Sequence, residues 1–407
     1  MTKLAIRNVG PIKNGLSKNK FIDFGGLTIL IGTQGSGKST IAKVYSSLCW
    51  LEKSLVRGDV TKDVAESKDY FLNEVMSFQG ISDYFSEKSH IEFIGEKYNF
   101  ILNNLNFNIT EKENRQYASP KIMYVPAERN FLTSIVRPDL ISKLPKALHA
   151  FLAEYEEAKD YSRSKLIDLP IGNLKYQYDP DDGSSYLVGE SFRTNLLNGS
   201  SGYQSLIPLF LVTEYLCDLI SQQDQDSSEV PLSVALQRRM MKEVKVVMER
   251  QIKLKKIKSL MDEIKRVQNR FIYSSFINIV EEPEQNLYPD SQKKILFELL
   301  KTLNSTPENR LVVTTHSPYI LNFMMLNFQA GKLYKKNLSE TSASEVEKIV
   351  PRNSVVESDK VRVYQLSSDG TIENLEFEDG YIPDTNKLNH KLDEINDQFS
   401  QLLYMDV

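Results

Sequence analysis

The chain has 407 residues, with 50 Lys plus Arg against 54 Asp plus Glu, a formal net charge of −4, and 41% hydrophobic and 26% charged residues. That balance is ordinary for a globular chain, and the length suits two or three packed units that need no disulfide or metal staples. No stretch approaches the roughly 20 apolar residues of a membrane span, and Met1–Arg7 has too many polar breaks for a signal peptide. Cys49 and Cys217 lie far apart, as do His90, His149, His316 and His390, which speaks against a zinc site and for a reducing, cytoplasmic location with no membrane partner.

In chain order, Leu4–Ile6 and Phe21–Phe24 read as short strands, Gly25-Gly26 as a turn, and Leu27–Ile31 as a strand buried on both faces. Residues 53–120 show no clear period. Lys121–Val125 is a second buried strand, ended by Pro126. Residues 142–165 read as helix, residues 166–195 as a β-meander turning at Asp179–Gly183, and Ser205–Ile220 as an apolar helix. After a polar break at Ser221–Glu229, Leu232–Arg270 is one helical run without Gly or Pro. Phe276–Val280, Ser291–Leu303 and Leu311–Thr315 then alternate strand, helix and strand, so the fold class is α/β.

Gly32-Thr33-Gln34-Gly35-Ser36-Gly37-Lys38-Ser39 satisfies G-x-x-x-x-G-K-[ST] between a buried strand and a helix that continues through Thr40. Gly32, Gly35 and Gly37 let backbone N–H groups turn inward around phosphate oxygens, with Gln34, Ser36 and Thr40 in the same loop and helix start. The helix adds its positive N-terminal end, Lys38 reaches the β- and γ-phosphates, and the Ser39 hydroxyl can ligate Mg²⁺. A phosphate loop of this kind takes a nucleotide's phosphates with Mg²⁺. Glu281-Glu282-Pro283-Glu284 follows the apolar strand Ile277–Val280, at the sheet edge where ligands collect. Glu281 is assigned to the metal, through water, and Glu282 to the attacking water. His316, just past the next strand, is positioned for a γ-phosphate or for that water. Ser200-Ser201-Gly202 precedes an apolar helix and is either an anion site or an ordinary N-cap.

The order of Gly32–Ser39, Val125–Asn130, Ser200-Ser201-Gly202, Glu281–Glu284 and Thr314–Pro318 resembles the ABC-type ATPase heads. Within them it is similar to the soluble branch of SMC-like repair ATPases and the OLD family, and most of all to AAA-type ATPases of bacterial antiphage systems. The resemblance spans residues 1 to about 320. It implies a composite site in which ATP joins two heads, so that Ser200, Ser201 and Gly202 of one copy meet the nucleotide held by the other. It also implies slow hydrolysis, with the closed homodimer as the signal. The family commonly has Asp where this chain has Glu281 and Ser-Gly-Gly where it has Ser-Ser-Gly. Glu128 and Arg129 stand roughly where a Q-loop glutamine is expected.

Residues 231–270 carry twelve Lys or Arg and four acids, and Met240, Val244, Val247, Leu254, Ile257, Met261 and Ile264 recur near the 3.5-residue coiled-coil step. The basic face over 238–270 either packs on its own head or docks nucleic acid or an acidic partner. Leu388, Leu392, Ile395, Phe399 and Leu402 form an apolar stripe that either packs on the head or docks a partner. No Asp-x-Asp nuclease motif follows His316. The expected architecture is an ABC-type phosphate-loop head with a mainly parallel core sheet, an N-terminal antiparallel β region and an inserted helical or coiled-coil subdomain. Residues 1–204 and 271–340 form the head, 205–270 the insertion and 341–407 a C-terminal extension. The expected function is the ATP-hydrolysing sensor subunit of an antiphage complex, dimeric or larger, with a separate effector such as a nuclease. The alternatives are a DNA-repair or chromosome-maintenance ATPase that tethers DNA, and a binding module that uses ATP only as a structural ligand.

Overall fold

The computed structural model describes residues 2–16, 21–113, 117–135, 141, 143–163, 165–223, 234–253, 260, 263–264, 267, 272–336, 338–383 and 386–405. The chain opens with β1 (Thr2–Arg7), β2 (Gly15–Leu16), β3 (Ile22–Phe24) and β4 (Leu27–Gly32), then α1 (Lys38–Arg57) and a one-turn α2 (Lys62–Ala65). A π-helical turn, Tyr70–Met76, leads to β5 (His90–Ile94), β6 (Tyr98–Asn103) and β7 (Asn106–Glu111). Next come β8 (Pro120–Val125), α3 (Lys146–Tyr161), the four strands β9 (Leu166–Asp168), β10 (Lys175–Asp179), β11 (Ser184–Val188) and β12 (Arg193–Asn195), then α4 (Ser201–Gln223) and α5 (Val234–Lys253). The chain finishes with β13 (Ser275–Glu281), α6 (Pro289–Leu303), β14 (Arg310–Thr315), α7 (Pro318–Tyr334), α8 (Glu340–Ile349), β15 (Val361–Leu366), β16 (Thr371–Asn374) and α9 (Lys387–Met405).

The seven-stranded core sheet runs β2-β16-β15-β4-β14-β13-β8, and β15, β4, β14, β13 and β8 are all parallel. Its strands alternate between two cores, as a sheet covered on both faces requires. Leu27, Ile29 and Ile31 pack with α3, α4, α6 and α7, while Leu30, Ile277 and Ile279 face α1. The five-stranded antiparallel sheet β3-β1-β5-β6-β7 lies over the α1 side, and β12-β11-β10-β9 is the expected meander. The α/β class with a parallel core and an N-terminal antiparallel region is thus the observed architecture. Residues 361–374, expected in an extension, instead supply β15 and β16 to the core sheet, with β15 directly beside the phosphate-loop strand β4.

Among the described helices, α4 alone is long and apolar enough to cross a membrane, but two-thirds of that stretch is buried inside the fold. Its Pro208 has no N–H for the carbonyl of Gln204, and the Thr133 hydroxyl donates to that oxygen instead at 2.8 Å. In α5, Met240, Val244 and Val247 pack on Val267, and Leu254, Ile257 and Met261 of the seam lie outside the described residues. The basic positions 255, 256, 258, 265, 266 and 270 lie outside the described residues. On α9, Ile395, Phe399 and Leu402 are exposed by 60% or more.

Helix α1 is tied to the antiparallel sheet by Glu52, whose Oε1 accepts from the N–H groups of Lys97 at 2.7 Å and Tyr98 at 2.9 Å. Burial raises this carboxyl from 4.5 to about 7, although the two N–H bonds oppose the shift. The folded state therefore binds more protons between those values, and stability falls as pH rises from about 4.5 through 7, by about 3 kcal/mol in all. Glu52→Gln keeps an acceptor for both N–H groups and removes that slope. Urea unfolding should show the variant more stable than the parent at pH 8, with no such gain near pH 4.5.

Candidate active site

The parallel register aligns the ends of four strands: Ile31 stands beside Thr315, Thr314 beside Glu281, and Val280 beside Val125. The phosphate loop, the acidic turn and His316 therefore emerge along one sheet edge. In the loop, Gly32, Gly35 and Gly37 have φ of +149°, +74° and +102°, which an L side chain rarely adopts. A Cβ at Gly32 would also stand 2.5 Å from the Leu366 carbonyl, so β15 fixes the loop from behind. No side chain caps α1, and its first N–H groups are left for a ligand.

A cavity of about 500 Å³ opens over this edge, lined by Gln34, Gly35, Gly37, Lys38, Ser39, Thr40, Glu282 and His316. Lys38 Nζ donates to the carbonyls of Gly32 at 2.9 Å and Thr33 at 3.0 Å and lies 3.5 Å from His316 Nδ1. Burial lowers Lys38 to about 8, against the pull of Glu282, Glu284 and Glu281. Burial and the Lys38 charge lower His316, so it stands neutral at pH 7 and above. Its Nε2 lies 3.6 Å from Glu282 Oε1. Glu282 has φ of +43°, a left-handed conformation costly for a side chain of this size.

Arg129 explains how that conformation persists. Its fully buried guanidinium donates to the carbonyls of Glu281 and Glu282, each at 2.7 Å, of Ser205 at 3.0 Å, and of Pro126 at 3.2 Å. Burial lowers it to about 10, and Glu284, Glu282, Glu281 and Glu128 hold it charged. Arg129 is thus a backbone clamp inside the fold and does not reach the cavity, whereas its place in the sequence suggested a Q-loop role.

Glu281 is buried. Its Oε2 accepts from the Ala127 N–H at 3.3 Å, and its Oε1 has no hydrogen-bond partner among the described residues. A buried carboxylate oxygen left without a hydrogen bond at the strand end fits a water-mediated hold on Mg²⁺. The buried Ser36 Oγ is likewise unpartnered. Ser200 and Ser201 are exposed at the start of α4, and a Cβ at Gly202 would stand 2.9 Å from the Asn286 carbonyl. The turn is therefore packed against the acidic loop of its own chain, outside the phosphate cavity, with its serines facing outward.

Sequence reasoning gave Glu284 no role, yet its Oε1 accepts from Thr315 Oγ1 at 2.7 Å and from the His316 N–H at 2.8 Å, which sets the histidine's backbone. Burial raises this carboxyl. Tyr84 was missed as well. It lines the cavity mouth, its ring seated so close to Gly10 that a Cβ there would stand 2.5 Å away. Nothing in residues 53–120 signals it, because the contact is made between two loops.

Residues 277–322 match the family model described as "AAA domain, putative AbiEii toxin, Type IV TA system". No curated protein matches the chain. Among solved structures, the chain is similar to the SMC head domain from Thermotoga maritima, at 11% identity over 92% of this chain and 98% of that one, with a TM-score of 0.36. It is also similar to the Smc head with an extended coiled coil bound to the C-terminal domain of ScpA from Pyrococcus furiosus, at 10% identity over 97% and 100%, with a TM-score of 0.35.

Two outcomes follow from the site. Phosphate binding needs the Lys38 ammonium, and a bound anion raises its pKa. Nucleotide affinity, followed by calorimetry from pH 7 to 9.5, should be flat to about pH 8 and then fall by up to about tenfold per pH unit. Arg129→Leu removes the donor from four carbonyls and should cost about 3–5 kcal/mol in urea unfolding. Arg129→Lys should recover only part of this, because an ammonium cannot reproduce the planar fork.

Proposed function

We propose that the protein is an ATPase of the ABC type whose two copies close around ATP-Mg²⁺. The carrying observation is the convergence of Lys38, Glu282 and a neutral His316 on one cavity at the edge of a parallel sheet. The loop N–H groups and Lys38 bind the β- and γ-phosphates, while Tyr84 offers an aromatic face at the mouth for the base. Mg²⁺ held by Ser39 and, through water, by Glu281 would neutralise charge on the phosphates. Glu282 accepts a proton from the attacking water, and His316 holds the γ-phosphate through hydrogen bonding. Glu284 positions His316, and Arg129 keeps Glu282 aimed.

The second half of the site comes from a partner copy. Ser200, Ser201 and Gly202 would meet the γ-phosphate across the dimer, a role that suits an exposed serine turn at the start of a long helix. Because Arg129 bonds both Glu282 and Ser205, the partner-facing turn and the catalytic acid are one mechanical unit. Closure and hydrolysis are coupled through it.

The biological setting that fits best is the sensor ATPase of an antiphage complex in the cytoplasm, acting with a separate effector such as a nuclease. The family match over residues 277–322, whose description names a toxin of a toxin–antitoxin system, favours this reading over chromosome maintenance.

Glu282→Gln keeps the hydrogen-bonding shape and removes the base. Turnover should fall by at least about 100-fold, while ATP binding persists and sedimentation shows an ATP-dependent dimer that no longer dissociates. Loss of the dimer on Ser200→Arg, with ATP binding to the monomer unchanged, should accompany it. An ATP-bound chain that stays monomeric in Glu282→Gln contradicts the composite site.

A further inference from the structure

The chain's single tryptophan, Trp50, lies on α1 well away from the nucleotide cavity. It borders a second cavity of about 250 Å³, enclosed by α1, the π-helical turn and the residues after it, the edge strand β8, and α3. Walls such as Val75, Ile122 and Ala150 are apolar, and Trp50 and Phe78 stand half-exposed at the mouth. Four polar side chains of this lining are each more than nine-tenths buried: Ser46, Ser47, Gln79 and Tyr124. Ser47 Oγ and Gln79 Oε1 have no hydrogen-bond partner among the described residues, while the Tyr124 hydroxyl stands by the Glu281 carboxylate. Gln79 Nε2 donates to Ser46 Oγ at 3.4 Å, which fixes the amide and leaves its oxygen free.

A buried polar atom without a partner costs about 1–3 kcal/mol, and native interiors leave few of them. Two in one small apolar chamber need a common explanation. Apolar walls with a few convergent polar atoms are the composition of a ligand site. The volume suits one fused ring system. The aromatic mouth suits a planar molecule, and an amide oxygen with a serine hydroxyl suits ring edges that carry both N–H and C=O groups. The acids at the rim are Glu74, and Glu154 in its ion pair with Lys121, and they disfavour an anion.

We propose that this chamber binds an uncharged, planar heteroaromatic molecule of nucleobase or nucleoside type, and that its occupancy alters nucleotide affinity at the phosphate loop. The first part stands independently of the ATPase reading, and the second rests on it. The link is short. Ser46, Ser47 and Trp50 ride on the helix that begins at Lys38, and the Glu281 carboxylate acts directly on the hydroxyl of Tyr124.

Because Trp50 is the only tryptophan, all tryptophan emission comes from the mouth of this chamber. The full chain is titrated with adenosine, guanosine, cytidine, uridine and the free bases adenine, cytosine and uracil. At least one should give a saturable change, and its 5′-monophosphate should bind at least about tenfold more weakly, a difference of about 1.4 kcal/mol. Gln79→Leu should weaken binding by about tenfold or more, and Ala150→Phe should abolish it. Gln79→Leu is nearly isosteric and carries the test should the larger variant not fold. No saturable change with any probe, a response that survives Gln79→Leu, or monophosphates that bind as well as nucleosides overturns the proposal. The second part is read as ATP affinity with and without saturating ligand. An unchanged value overturns that part while the Trp50 titration stands.

Discussion

One guanidinium joins three parts of the molecule that are far apart in sequence. Arg129 follows β8, and its donors reach the carbonyls at the end of β13 and in the first turn of α4. It holds the left-handed turn at Glu282 together with the Glu282 N–H bond to the Thr314 carbonyl at 2.9 Å, and it ties α4 to the acidic strand together with the bond from Asn278 to Thr213. Burying a charge this completely is expensive, and the arrangement is viable because four carbonyl oxygens and the nearby carboxylates compensate it. Strain at Glu282 and the cost at Arg129 are thus borne together.

The same economy appears around the phosphate loop. The glycine at its start is pressed by the Leu366 carbonyl on β15, so a strand close to the C-terminus shapes a loop near the N-terminus. Lys38 spends its hydrogen bonds on the carbonyls of Gly32 and Thr33, and Glu284 spends its own on Thr315 and the His316 backbone. Lys38 and the His316 backbone are therefore held by partners within the fold, the kind of preorganisation that electrostatic catalysis requires.

Helix α1 carries two sets of chemistry. Its N-terminus faces the phosphate cavity, and its later turns carry Ser46, Ser47 and Trp50 to the apolar chamber and Glu52 to the antiparallel sheet. Tyr124 separates the chamber from Glu281 by a single side chain. Under the proposed coupling, this helix, which begins at the phosphate loop and lines the second cavity, is the route between the two.

The phosphate loop, the parallel strands and the acidic strand end were legible in the amino-acid sequence because each is local: continuous apolar runs, a fixed glycine spacing and acids directly after a strand. The meander at 166–195 was legible for the same reason, through its turn residues. Tertiary structure alone decided the placement of β15 and β16, since short strands that complete a sheet carry no local mark of their neighbours. It alone turned Arg129 from a candidate site residue into a clamp, and it brought in Glu284 and Tyr84. Those roles depend on which carbonyl, ring or N–H arrives from a distant segment, and no spacing along one chain encodes an encounter between loops some 74 or 152 positions apart.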